Sequence, residues 1–173
     1  MPASWPVGKY HDEIFKGDNT RIAFGWRANV VVDQCRDLLA AFIKGETTFG
    51  IQRIDLGRGD SLWDSSIYTS PPASTASLVD PGFASILAST ADMSIEFIDP
   101  TGAVTATPSN RIEVTVNING TSLPLSAGEV FPLREFALVG RHDTADFMID
   151  YVRHPVINIA SGDVLVRKIR LTF

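Results

Sequence analysis

Hydrophobic and polar positions alternate most cleanly from Arg111 to Asn117, where Ile112, Val114, Val116 and Ile118 interleave with Glu113, Thr115 and Asn117. A period of two predicts a strand with one buried and one wet face. From Val130 onward three more stretches rich in β-branched and aromatic residues follow. They read V-F-P-L-R-E-F-A-L-V-G, F-M-I-D-Y-V-R-H-P-V-I-N-I and, after a Ser-Gly-Asp turn, V-L-V-R-K-I-R-L-T-F. Gly, Asp and Ser punctuate them, so three consecutive strands are predicted. The last closes on the apolar Phe173 and is expected to be tied into a sheet. Thr47 to Leu56 and Ser94 to Ile98 also read as strands. Asp99-Pro100-Thr101-Gly102 is a turn, with Ala103 to Thr107 as the return of a hairpin, and Asn119-Gly120 is a second hairpin signal.

A helical period occurs once. Val31, Cys35, Leu38 and Phe42 recur at i, i+4, i+7 and i+11, and Val32, Leu39 and Ile43 widen the stripe. The helix is predicted over Asn29 to Lys44, with Asn29 as N-cap and Gly45 as its stop, and with Phe42 buried along with the stripe. Residues 1–28 show no clean period and carry Trp5, Tyr10 and Phe15 among prolines and glycines; we expect an ordered arm. Residues 61–93, with their Ser and Pro clusters, are expected to be a long loop, and loops of that length tend to bind partners. Within it Phe83, Ile86 and Leu87 form a short apolar cluster, a helical turn or a docking segment. The predicted class is α+β, mainly β. The expected architecture is an antiparallel sandwich or barrel of about seven or eight strands with one helix, formed by residues 29–173.

Composition adds limits. Apolar residues make up 45% of the 173 and charged residues 20%, enough for an ordinary core. The net charge of −5 argues against a nucleic-acid binder, which normally shows a basic patch. Arg167, Lys168 and Arg170 cluster locally and are expected to form a solvated strand face. The single cysteine, Cys35, precludes an internal disulfide and reads as a small buried hydrophobe. No signal-peptide pattern is visible, and no run approaches the roughly 18 apolar residues of a membrane span. The expectation is synthesis in a cytoplasm.

Catalytic chemistry is not legible. The three histidines lack zinc-ligand spacing, and no phosphate loop or nucleophile elbow is present. His142 beside Asp143 and Asp146 reads as a polar loop, and His154 as a strand residue before Pro155. Glu135 in L-R-E-F is either a buried acid or, more simply, a partner of Arg134 or of an arginine on a neighbouring strand. Arg58-Gly59-Asp60 spells an adhesion tripeptide, but Gly-Arg-Gly-Asp is also ordinary turn chemistry.

L-R-E-F-A-L-V-G, then I-D-Y-V-R-H-P-V-I, then V-R-K-I-R-L-T-F resembles the C-terminal part of structural proteins of tailed bacteriophages and phage-tail-like contractile particles. I-Q-R-I-D-L-G-R-G-D after the helix and N-R-I-E-V-T-V at Asn110 to Val116 fit the same order. Ala137 and Val139 stand where that group usually has glycine and phenylalanine, and residues 1–28 have no counterpart. The resemblance implies a non-enzymatic virion component without cofactor, metal or small-molecule substrate. It would work with other copies of itself and neighbouring tail, baseplate, neck or fibre proteins. Neither nucleic acid nor membrane is expected as a partner. The arm and the loop would supply the interface through Trp5, Tyr10, Phe15, Trp63, Tyr68, Phe83, Ile86 and Leu87, since aromatics anchor interfaces; the plain alternative is that they complete the domain's own core. Other functional readings are a carbohydrate- or receptor-binding sandwich such as a fibre tip, a capsid decoration protein, and an enzyme acting on sugar polymers.

Overall fold

The computed structural model describes residues 6–65 and 70–173, with Gly82 and Phe83 as backbone only. Among the described residues there are ten strands: β1 (Val7–Phe15), β2 (Arg21–Val31), β3 (Thr48–Gly57), β4 (Pro81–Leu87), β5 (Met93–Ile98), β6 (Val104–Thr105), β7 (Arg111–Asn119), β8 (Val130–His142), β9 (Ala145–Ala160) and β10 (Val164–Thr172). One α-helix, α1 (Asp33–Lys44), follows β2. The strands form a single antiparallel sheet in the order β4-β3-β8-β9-β2-β1-β10-β7-β5-β6, curled into a half-barrel. The chain is therefore mainly β, but the described residues hold ten strands, with one α-helix, rather than seven or eight.

The curl has a joint. β2 pairs with β1 from Arg21 to Asn29, but with β9 only at Val30 and Val31. Beyond those two residues β2 and β9 splay, and the sheet turns back on itself. Inner faces of the two halves then meet: the Tyr10 ring of β1 stands edge-on to Phe136 of β8, with centroids 5.5 Å apart. Ile14, Ile54, Val114, Leu138, Leu165 and Ile169 continue the same buried cluster. Aromatic edge-to-face packing and aliphatic burial are the main stabilising terms here.

α1 closes one end of this core. Cys35 and Leu38 are buried against it, while Phe42 is 67% and Ile43 83% exposed. The apolar stripe is thus used for only its first two turns, and Phe42 departs from the expected burial. The helix also starts later than Asn29. Residues 29–31 finish β2, Val32 takes the N-cap position in extended conformation without a side-chain cap, and the Asn29 amide is engaged elsewhere. Gly45 at φ 85° ends the helix, and the N–H groups of Gly45 and Glu46 bond back to Phe42 and Ala41. Gly140 leaves room for this docking, because a Cβ there would lie 2.8 Å from Leu38 Cδ2.

Two segments differ from expectation. Residues 7–28, expected within an arm, form β1 and most of β2 in the middle of the sheet. Their period is obscured because β2 is exposed on both faces over much of its length and a bulge falls between Tyr10 and Asp12. The 61–93 segment contains a 3₁₀ turn (Ser61–Asp64) and all of β4, which pairs with β3. Asn119-Gly120 does not turn a hairpin; β7 pairs with β10 and β5, and Gly120 opens a 3₁₀ turn. Its lack of a side chain is required there, since a Cβ would fall 1.9 Å from the Ala160 carbonyl oxygen.

Two outcomes follow. Leu38→Asp places an unpaired charge in the closed end and should lower unfolding free energy by several kcal/mol in urea titration, on the order of 3 or more. Deleting residues 1–10 removes half of β1, whose partners are β2 and β10, and should abolish the cooperative thermal transition.

Candidate functional site

Inside the half-barrel lies a buried polar cluster. Asp12 of β1 and Arg167 of β10 are directly opposed in register. Arg167 Nε donates to Asp12 Oδ1 at 2.6 Å and Nη2 to Oδ2 at 2.7 Å, with the arginine side chain fully buried. Its guanidinium also lies 3.8 Å from the centroid of the Phe136 ring, a desolvated cation–π contact across the two halves. Arg167 therefore corrects the expected solvated basic face. Leu165, Ile169 and Leu171 share its inward parity, whereas Lys168 and Arg170 point out and both bond Glu113.

His154 of β9 completes the cluster. Its Nδ1 lies 2.7 Å from the Pro155 carbonyl, so Nδ1 carries the proton, and Nε2 accepts from Arg167 Nη2 at 3.1 Å. Burial, aided by the positive charge of Arg167, pulls its pKa down to about 4. A neutral imidazole with both nitrogens engaged has no lone pair left for a substrate. Cys35 is also unsuited to nucleophilic work, because burial, then the nearby Asp150, push its thiol up to about 12.

On the outer face the long connection is pinned by carboxylates. Glu135 is fully buried and accepts from the N–H of Val79 at 2.9 Å, the N–H of Asp80 at 2.7 Å and the Tyr151 hydroxyl at 2.6 Å. This replaces the expected pairing with Arg134. Arg134 instead holds Asp64, at 2.8 Å from Nη2, and Asp64 also accepts from the Val156 N–H. The Gly-Arg-Gly-Asp phrase serves these clamps. A Cβ on Gly57 would sit 2.5 Å from Glu135 Oε1, and Asp60 caps the 3₁₀ turn through the Leu62 N–H. Asp150, also buried, accepts from the Leu138 N–H at 3.0 Å and the Asn29 amide at 2.5 Å. Burial still outweighs these bonds and pushes its pKa up to about 7.

The expected interface residues are dispersed. Trp5 and Tyr68 lie outside the described residues, and Phe83 lies on β4. Tyr10 is buried in the core, Ile86 is half-buried against it, and Trp63 is half-buried beneath Arg153 at 5.2 Å. Phe15 and Leu87 are exposed, on different strands. A different set of apolar residues gathers at the α1 end. At the α1 end, Leu38, Leu39, Ile51, Ile95, Ile112 and Phe173 line a cavity of about 390 Å³. Phe42 and Ile43 stand exposed on the adjoining helical turn, and Phe49 and Ile95 are exposed nearby in β3 and β5. The helical stripe was legible in sequence; that its last turn overhangs the sheet was not. Among the described residues, no group of three or more His, Cys, Asp or Glu is placed to hold a metal ion.

The buried pair Asp150 and His154 predicts a specific pH behaviour. Asp150, raised, contributes stability below its unfolded pKa near 4 that is lost as pH rises through about 7. His154, lowered, contributes stability above its unfolded pKa near 6.5 that is lost as pH falls towards about 4. Between those limits the two oppose each other. Relative to wild type, Asp150→Asn should lose stability more steeply on acidification from pH 7 to 4. His154→Gln should do the reverse and lose stability as pH rises over the same range. Each relative change should be on the order of 3 kcal/mol in denaturant titrations run at both pH values.

Comparison with models of known protein families, with curated proteins and with solved structures finds no match.

Proposed function

We propose that the protein is a non-enzymatic structural component of a bacteriophage virion or phage-tail-like particle, working as a homo-oligomer in contact with neighbouring particle proteins. The virion assignment rests on the resemblance of Leu133 to Gly140, Ile149 to Ile157 and Val166 to Phe173 to that group. The assembly role is carried by one observation: Phe42 and Ile43, 67% and 83% exposed, stand one helical turn beyond Leu38 and Leu39, which line the apolar cavity at the α1 end. Two large side chains on the last turn of a helix gain nothing for this domain by facing water, and large exposed apolar patches mark interaction sites.

A ridge beside a hole on one face is self-complementary, as a two-fold interface requires. The arm and loop aromatics do not fill this role together, because Tyr10 and Ile86 serve the core. The polar cluster of Asp12, Arg167 and His154 is read as structural, since its geometry leaves no free base or nucleophile.

Light scattering should report a mass above one chain for the wild type. Phe42→Asp with Ile43→Asp should shift it towards the monomer at an unchanged melting temperature. Gradient-purified particles from cells expressing the chain should contain the wild type and be depleted of the variant. A wild type that is monomeric at all accessible concentrations and absent from particles would overturn the proposal.

A further inference from the structure

The splay between β2 and β9 opens a second cavity, of about 370 Å³, lined by Tyr10, Arg27, Ala28, Arg153, His154 and Pro155 together with Ser70. Its walls are mostly apolar, yet three arginines belong to this corner. Arg27 is exposed on β2, opposite Tyr10 in register. The Arg153 guanidinium lies 5.2 Å from the centroid of Trp63 and 6.0 Å from that of Tyr151, and its Nε is buried without an acceptor among the described residues. Arg167 lies behind His154 and Tyr10, and its Nη1 is likewise buried without an acceptor among the described residues.

The charge balance points the same way. Asp12 neutralises Arg167, and His154 is held neutral by burial beside the Arg167 charge. No ion pair joins Arg27 or Arg153 to a carboxylate among the described residues, and residues 1–5 and 66–69 contain no carboxylate. The cavity is thus lined by two arginines that contact no carboxylate among the described residues, with Glu135 as the cross-strand neighbour of Arg153, in a chain of net charge −5. Buried guanidinium N–H groups are almost always satisfied, and unsatisfied ones call for an acceptor. A guanidinium fork fits a carboxylate, whose charge-assisted bonds are the strong ones.

We infer that the cleft between β2 and β9 is a binding site for a carboxylate attached to an apolar body, held by Arg27 and Arg153 beside the Tyr10 hydroxyl. The carboxylate belongs either to a small organic acid or to the acidic side chain of a polypeptide; the recognition chemistry is the same. This site is independent of the apolar surface at the α1 end.

Calorimetric titration with benzoate, and with a short peptide bearing a single glutamate, tests it. At least one probe should bind saturably and raise the melting temperature. The glutamine version of the peptide should bind at least about tenfold more weakly than the glutamate version, the loss expected for a charge-assisted bond. Tighter binding of benzoate identifies a small acid as the ligand type, and tighter binding of the peptide identifies an acidic side chain. Arg27→Gln, at an exposed position, and Arg153→Gln should each weaken binding by a similar factor. If neither probe saturates, if chloride reproduces the effect, or if both variants bind like wild type, the inference is overturned.

Discussion

A fully buried arginine is the constraint around which this half-barrel is built. Taking a guanidinium out of water is costly unless nearly every donor is met and a counter-charge is in contact. Asp12 supplies the charge from β1, His154 supplies a neutral acceptor from β9, and Phe136 supplies a π face from β8. β8 and β9 are neighbours in one half of the sheet order and β1 lies beside β10 in the other, so Arg167 on β10 ties the two halves of the curl where their inner faces meet. The depressed pKa of His154 follows from the same placement: burial disfavours its charged form, and the positive charge of Arg167 adds to the effect.

Two further carboxylates, the buried Glu135 and the exposed Asp64, fasten the connections outside the sheet. Glu135 gathers two backbone N–H groups from the connection between the 3₁₀ turn and β4, together with a tyrosine hydroxyl. Asp64 gathers Arg134 and a backbone N–H from β9. Both sites spend polar groups on order rather than on chemistry. What remains for function is at the two ends of the curl: the apolar opening by α1 and the arginine-lined splay between β2 and β9. These ends differ in polarity, which suits them to different occupants.

The sequence was most readable where one face is buried and the other wet. Arg111 to Asn117, the strands from Val130 onward and the Asp99 turn appear close to where their periods placed them, because local alternation and turn chemistry determine them. Residues 7–28 were not readable, since β2 is exposed on both faces and its pairing partners lie far along the chain. The same applies to the strand order: β10 sits between β1 and β7, a long-range choice that no local pattern encodes. Arg167 was readable in part. It shares the parity of Leu165, Ile169 and Leu171, and an arginine on an apolar face signals a buried partner; Asp12, 155 residues away, carries no local mark of being that partner.

The claim that the buried Arg167–Asp12 pair locks the two halves together is tested most directly by a double-mutant cycle with Arg167→Met and Asp12→Leu. Equilibrium unfolding of the wild type, both single variants and the double variant gives the coupling energy. Each single change should cost about 3–5 kcal/mol, because it strands a buried charge or its partner. The double variant should lose far less than the sum of the two. Strictly additive losses, or single variants as stable as wild type, would contradict the account.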